Sequence, residues 1–136
     1  LDSRGEVVQE PAPLLVPLAE EGWTEGDVPR QVARRYLEAL APHQIDAVVL
    51  GCTHYPLLRS VIEEEGRAIL GDELAVVDGA EATAQAIETL LDERDLRRTA
   101  GSGGLRVMVT DLPDRFQEVA SRFLGADVGE VEAVDL

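Results

Sequence analysis

Apolar and polar positions follow two rhythms along this chain, one of strands and one of helices. Ile45-Asp46-Ala47-Val48-Val49-Leu50 is a short, β-branched apolar run, the pattern of a strand buried on both faces of a parallel sheet. Beyond a turn, Leu57, Leu58, Val61 and Ile62 recur at helical spacing. Pro56 suits the first turn of that helix, where its missing N–H would have no partner anyway. Glu63-Glu64-Glu65-Gly66 predicts the helix end.

Upstream, Glu6-Val7-Val8-Gln9 predicts a strand or the tail of one, closed by the Pro11-Ala12-Pro13 break. Leu14, Leu15, Val16 and Leu18 then precede the acidic pair Glu20 and Glu21, with Gly22 as a stop. Asp27 caps the next helix and Pro29 lies in its first turn. Its apolar stripe is Val28, Val32, Tyr36, Leu37 and Leu40, while Arg30, Arg34, Arg35 and Glu38 face outward. Downstream, Leu74-Ala75-Val76-Val77 reads as a strand. Asp78 and Glu81 have capping-box spacing ahead of a helix carrying Ala82, Ala86, Ile87, Leu90 and Leu91. Strands and helices in alternation predict an α/β fold, a parallel sheet flanked by helices on both sides.

Thr99-Ala100-Gly101-Ser102-Gly103-Gly104 is the one linker. It divides the chain into residues 1–98, the linker 99–104 and a tail, 105–136. The tail reads as strand Leu105–Thr110, helix Asp114–Leu124 ending at Gly125, and strand Val131–Val134. A single βαβ unit cannot bury both faces of its sheet, so this tail should dock on another sheet, for which the preceding chain leaves no obvious place.

Composition narrows the function classes. Twelve Lys+Arg against 27 Asp+Glu leave a net charge of −15 without any basic cluster, which disfavours a nucleic-acid partner and fits a well-solvated surface. No apolar run approaches the ~20 residues that span a bilayer, and no basic-then-apolar leader opens the chain, so no membrane is expected. The first residue is Leu1 rather than Met, which predicts a processed chain or a piece of a longer one. A single cysteine makes no internal disulfide, and a reducing cytoplasm is the default location.

That cysteine is the centre of the candidate chemistry. Cys52 lies just past the carboxyl end of a sheet strand, the rim where open α/β sheets bind ligands, and close to a helix start. A thiol beside an imidazole and a helix N-terminus is favoured as thiolate, as a nucleophile or base requires. Loose N–H groups of the turn, with the Thr53 hydroxyl, could hold a carboxylate at the same spot. The alternative is structural, with Cys52 a small buried hydrophobe and His54 a surface turn residue. A metal is not expected, since Cys52, His43 and His54 are too few for the four N or S ligands zinc prefers. Glu20 and Glu21 read as a solvated helix end, and Asp78 as a cap.

Leu50-Gly51-Cys52-Thr53-His54-Tyr55-Pro56-Leu57-Leu58 resembles the second catalytic cysteine motif of the glutamate racemases, in the aspartate/glutamate racemase superfamily. Pro13–Gly22, Val77–Ala84 and the Phe116–Leu124 helix resemble further segments of that family, in order. The resemblance implies part of a two-lobed racemase fold with the active site between lobes, and no cofactor. It implies glutamate as substrate, interconverted between L and D forms by two cysteines on opposite faces of the α-carbon, to supply D-glutamate for peptidoglycan. By resemblance Cys52 is one of that pair, His54 assists it or the substrate ammonium, Thr53 binds a substrate carboxylate, and Glu20, with Glu21 as the other register, orients this half of the site.

The chain departs from the family pattern in having no second cysteine and no N-terminal lobe. The resemblance therefore implies a C-terminal portion, inactive alone, whose missing N-terminal lobe is its first partner and whose tail completes that lobe, with a homodimer as a candidate assembly. An aspartate or hydantoin racemase, a one-cysteine decarboxylase and a catalytically silent binding domain are the alternatives.

Overall fold

The computed structural model describes residues 5–135, in two units, Leu1–Gly79 and Ala80–Leu136. In the first unit the apolar runs become β1 (Ala47–Leu50) and β2 (Ala75–Asp78), paired in parallel with Ala47 opposite Ala75 and Leu50 opposite Asp78. Their connection is a 3₁₀ turn, Tyr55–Leu58, followed by α3 (Arg59–Leu70). Ahead of β1 come α1 (Leu15–Glu20) and α2 (Asp27–Leu40). Leu15, Ala19, Ala33, Leu37, Leu58, Val61 and Ile62 meet Leu50, Leu74 and Val76 in one core. The architecture is α/β, as the alternating pattern predicts.

Strand alternation decides which residues reach that core. Val48, Leu50 and Val76 point to it, whereas Val49 is 69% exposed and Val77 46%. The expectation that this strand is buried on both faces is therefore corrected. The helices of this unit supply one covering layer, and the opposite face of the β1–β2 pair carries none of the buried residues.

Three local readings also change. Helix α3 does not stop at Gly66 but runs to Leu70. Gly66 is buried where a Cβ would stand 2.7 Å from Leu74 Cδ2, so this glycine admits a close approach rather than ending a helix. Glu65 is buried too, paired with Arg30 and with Arg34 of α2 at 3.5 and 2.5 Å. Of the predicted α2 stripe, Leu37 is buried and Val32, Tyr36 and Leu40 pack against the core, joined by Pro29 and Ala33, whereas Val28 is exposed. Asp27 is the first residue of α2 rather than its cap, since Gly26 precedes it at φ +90°. Its carboxylate still sits favourably against the helix dipole.

Gly22 closes α1 as predicted, at φ +74°, its N–H donating to the Ala19 carbonyl. Glu6–Gln9 forms no strand, and Val7 is exposed.

The second unit contains most of α4 (Gly79–Glu93), then β3 (Val107–Val109), α5 (Pro113–Leu124) and β4 (Val131–Ala133). β3 and β4 pair in parallel, Val107 opposite Val131, and Gly125 ends α5 at φ +63°. No residue from 80 to 135 is buried. Ile87 and Leu90, apolar positions of the predicted helix, are 52% and 43% exposed. The stretch 99–104 lies within this unit and has neither helix nor strand. Among the described residues no helix is long and apolar enough to cross a membrane.

Candidate active site

At the carboxyl end of β1 the chain leaves the sheet at Gly51 and turns through Cys52, Thr53 and His54. The turn is held by its own backbone. The Tyr55 N–H donates to the Cys52 carbonyl and the Leu57 N–H to the His54 carbonyl, both at 3.2 Å. Pro56, with no N–H to satisfy, fits the 3₁₀ turn, and Leu58 plugs the core beneath. The side chains of Cys52, Thr53 and His54 are thereby collected at one rim of the sheet.

The first helical element after the strand is the 3₁₀ turn Tyr55–Leu58, with His54 at its N-cap, and it runs directly into α3 at Arg59, so Cys52 lies two residues ahead of the cap of a helical start that is 3₁₀ rather than α in its first turn.

An imidazole faces Cys52 directly. The Cys52 Sγ lies 3.9 Å from His54 Nδ1, within sulfur hydrogen-bond reach, and the Thr53 Oγ1 lies 3.4 Å from the same nitrogen. On the other side of the ring, His54 Nε2 is 3.6 Å from Glu20 Oε1, and both side chains are about a third exposed or less. An ionised carboxylate only accepts, so Glu20 favours the proton on Nε2 and leaves Nδ1 as an acceptor toward Cys52 and Thr53. Cys52 is half-buried, neither sealed in the core nor fully in water. That exposure disagrees with the purely structural reading of the thiol.

The structure thus brings Glu20, His54, Cys52 and Thr53 together, while Glu21 is exposed on the next position of the chain. His43 lies exposed beyond the end of α2 and takes no part. Among the described residues no group of three or more His, Cys, Asp or Glu side chains could hold a metal ion.

Residues the sequence pattern did not single out build the supports. Arg59, in the first turn of α3, donates Nη1 to Asp78 Oδ2 at 2.6 Å and Nη2 to the Val76 carbonyl at 2.8 Å. Asp78, read as a cap from its spacing, stands immediately before α4 and is also the ion-pair partner of Arg59 at the end of β2. Tyr55 donates its hydroxyl to the Ala12 carbonyl at 3.1 Å, and Tyr36 accepts from the Leu14 N–H at 3.2 Å. Burial pushes the Tyr55 phenol above its ordinary value, and the neighbouring Cys52 adds to the shift. Only the aromatic residue inside the turn motif could have flagged these contacts, because their partners lie far away in sequence.

A parallel-strand α/β frame, with a thiol, imidazole and carboxylate gathered at one strand end, places this chain in the class of α/β proteins with a parallel sheet, whose strand ends are where ligands commonly bind. Within that class the chain is related to the glutamate racemases along nearly all of its own length. It is 46% identical over 132 residues to the glutamate racemase of Geobacter metallireducens, covering 96% of this chain and 47% of that protein. The Chlorobaculum parvum glutamate racemase is 42% identical with the same coverage.

Solved structures agree. Glutamate racemase from Thermus thermophilus, in complex with β-chloro-D-alanine, matches at TM-score 0.80 and 38% identity, covering 93% of this chain and 47% of that one. The enzyme from Francisella tularensis, in complex with D-glutamate, matches at TM-score 0.81 and 32% identity, covering 96% and 47%. No family model matches the chain. The chain spans about half the length of the curated relatives it matches.

Proposed function

We propose that this chain carries one half of the active site of a cofactor-independent glutamate racemase, with Cys52 as one of two thiols that exchange the α-proton. The observation that carries the reading is the row Glu20, His54, Cys52, in which one imidazole faces the carboxylate at 3.6 Å and the thiol at 3.9 Å. The α-proton of an amino acid is a very weak acid, so a base must touch it and donors must hold the carbanion-like charge.

In this reading His54 Nδ1 takes the Cys52 thiol proton, Glu20 holds the imidazole and balances its charge, and the thiolate removes the α-proton. Thr53 and the N–H groups of the turn bind the α-carboxylate. The carbon is then reprotonated from the opposite face by a second acid, because one base alone would tend to return the proton to the side it left. Distances a few tenths of an ångström beyond hydrogen-bond range are usual before substrate is bound.

The second thiol is proposed to lie in the half of the relatives that this sequence does not span. That half also offers the second unit, with no buried residue of its own, the cover it needs, so the segment 105–136 is proposed to complete the other lobe. The chain alone is then inactive. The product, D-glutamate, suits peptidoglycan synthesis in the cytoplasm, and a homodimer is the candidate assembly.

The test is to join the chain to the missing half of a related racemase and follow glutamate optical rotation. Racemisation is expected, and Cys52→Ser should lower kcat about 10²- to 10⁴-fold, the range for losing a positioned proton carrier. Turnover at the unsubstituted rate in that variant overturns the proposal. Faster turnover of aspartate or a hydantoin in a substrate panel would reassign the substrate. The lone cysteine favours a second reading, a binding domain without turnover, which predicts D-glutamate binding by the joined protein and no racemisation.

A further inference from the structure

Two tyrosine hydroxyls converge on the short segment that precedes α1. Tyr55, the residue after His54, donates to the Ala12 carbonyl at 3.1 Å, and Tyr36 of α2 accepts from the Leu14 N–H at 3.2 Å. The Ala12 carbonyl also accepts from the Leu15 N–H at 3.1 Å, so it is the anchor of the first turn of α1. Five residues later the same short helix ends in Glu20, the carboxylate 3.6 Å from His54. Between anchor and carboxylate, Leu15 and Ala19 are buried, and α1 is bedded against the core along its length.

The contacts therefore close a ring: His54 to Tyr55 through the backbone, Tyr55 to Ala12 through a hydrogen bond, Ala12 to Glu20 through α1, and Glu20 back to His54. One element of that ring is not needed to fill space. The Tyr55 ring packs at the edge of the core, but its hydroxyl serves only the reach across to α1. Short helices have few hydrogen bonds of their own and depend on such outside ties for their position.

We propose that Tyr55 is a positioning residue that sets the distance between Glu20 and His54, and so the ability of His54 to take the Cys52 proton, by tethering the start of α1 to the turn that carries the imidazole. Tyr36 is the second, weaker tether on the same segment. This rests on the Glu20–His54–Cys52 reading above, and it extends that reading to a residue that touches no substrate.

Because Cys52 is the only cysteine, alkylation of the chain by iodoacetamide at neutral pH reports on one site. His54→Ala and Glu20→Gln are expected to slow it. Tyr55→Phe, which keeps the ring, should slow it about two- to tenfold, what misplacing one hydrogen-bonded partner costs. Tyr36→Phe should slow it less. In the Glu20→Gln background Tyr55→Phe should add nothing, because the tether acts through that carboxylate.

A Tyr55→Phe chain that alkylates at the unsubstituted rate while Glu20→Gln and His54→Ala are slow overturns the tether and leaves the proton row standing. So does a Tyr55→Phe effect of equal size with and without Glu20, which is what a purely structural loosening gives. If Glu20→Gln and His54→Ala both alkylate at the unsubstituted rate, the row itself fails and the tether with it. Should Tyr55→Phe fold poorly, Tyr36→Phe alone and in the Glu20→Gln background applies the same test through the second tether.

Discussion

Residues up to Gly79 and residues from Ala80 onward are made of the same parts, a parallel strand pair and amphipathic helices, yet only the first set buries anything. β1 and β2 rest on Leu50, Leu58, Val61, Ile62 and Val76, drawn from strands and helices that pack on each other. β3 and β4 pair as regularly, with α5 connecting them, but Phe116, Phe123 and Leu124 stay exposed on that helix, as do Ile87 and Leu90 on α4. Regular hydrogen bonding therefore does not make a parallel pair stable. A parallel sheet needs a layer on each face, and two strands with one crossover supply at most one. The first unit has reached that halfway state, with Val49 and Val77 still open, and the second has not.

The comparison can be broken most decisively by hydrogen exchange. Amides of β1, α2 and α3 should open only at a free energy near that of global unfolding, on the order of 5 kcal/mol, while those of β3, α5 and β4 exchange near zero protection. Uniform protection across both units would abolish the distinction.

Side-chain truncation sharpens it. Leu58→Ala should cost about 2–5 kcal/mol in chemical denaturation, because Leu58 is 1% exposed beneath the Cys52 turn. Phe123→Ala in the second unit, a larger deletion, should cost under about 1 kcal/mol. Equal losses would mean that the second unit has found a core of its own.

Within the first unit the two faces of one sheet give a finer contrast. Val76→Thr places a hydroxyl in the core and should cost about 1–3 kcal/mol, whereas Val49→Thr on the open face should change stability by less than about 0.5 kcal/mol. Melting both variants checks the alternation. A large loss from Val49→Thr would show that something covers that face in solution.

The smallest expected effect is in alkali. Burial raises the Tyr55 phenol above its ordinary value of 10.0, so the fold binds that proton more tightly than the unfolded chain does. The contribution is complete below pH 10 and is lost as pH climbs through the raised value. Tyr55→Phe should flatten the alkaline limb of a stability-against-pH curve for the first unit. Second-unit substitutions such as Phe123→Ala should leave that limb alone.

Much of the first unit was legible from spacing alone. The Ile45–Leu50 run, the Leu74–Val77 run and the Gly22 stop all correspond to observed features, because each depends on residues adjacent in the chain. The errors fall where a partner was needed. Glu65 and Gly66 read as a helix end from their spacing, whereas Leu74 packs against Gly66 and two arginines of α2 pair with Glu65 inside a helix that continues. In the candidate site, Cys52, Thr53 and His54 were found from one contiguous motif. Tyr36, Arg59 and the Ala12 carbonyl were not, since nothing local marks them.

The sequence by itself determined the order of strands and helices, the turn that breaks out of β1 at Gly51, and the presence there of a thiol, a hydroxyl and an imidazole. Periodicity, proline and glycine act over a few residues, so those features need no knowledge of the rest of the chain. Only the tertiary structure decided which sheet face is covered and that Glu20, the register the family resemblance puts first, stands beside His54. Those outcomes depend on how α1 beds into the core, and packing between segments far apart in sequence leaves no periodic trace in either one.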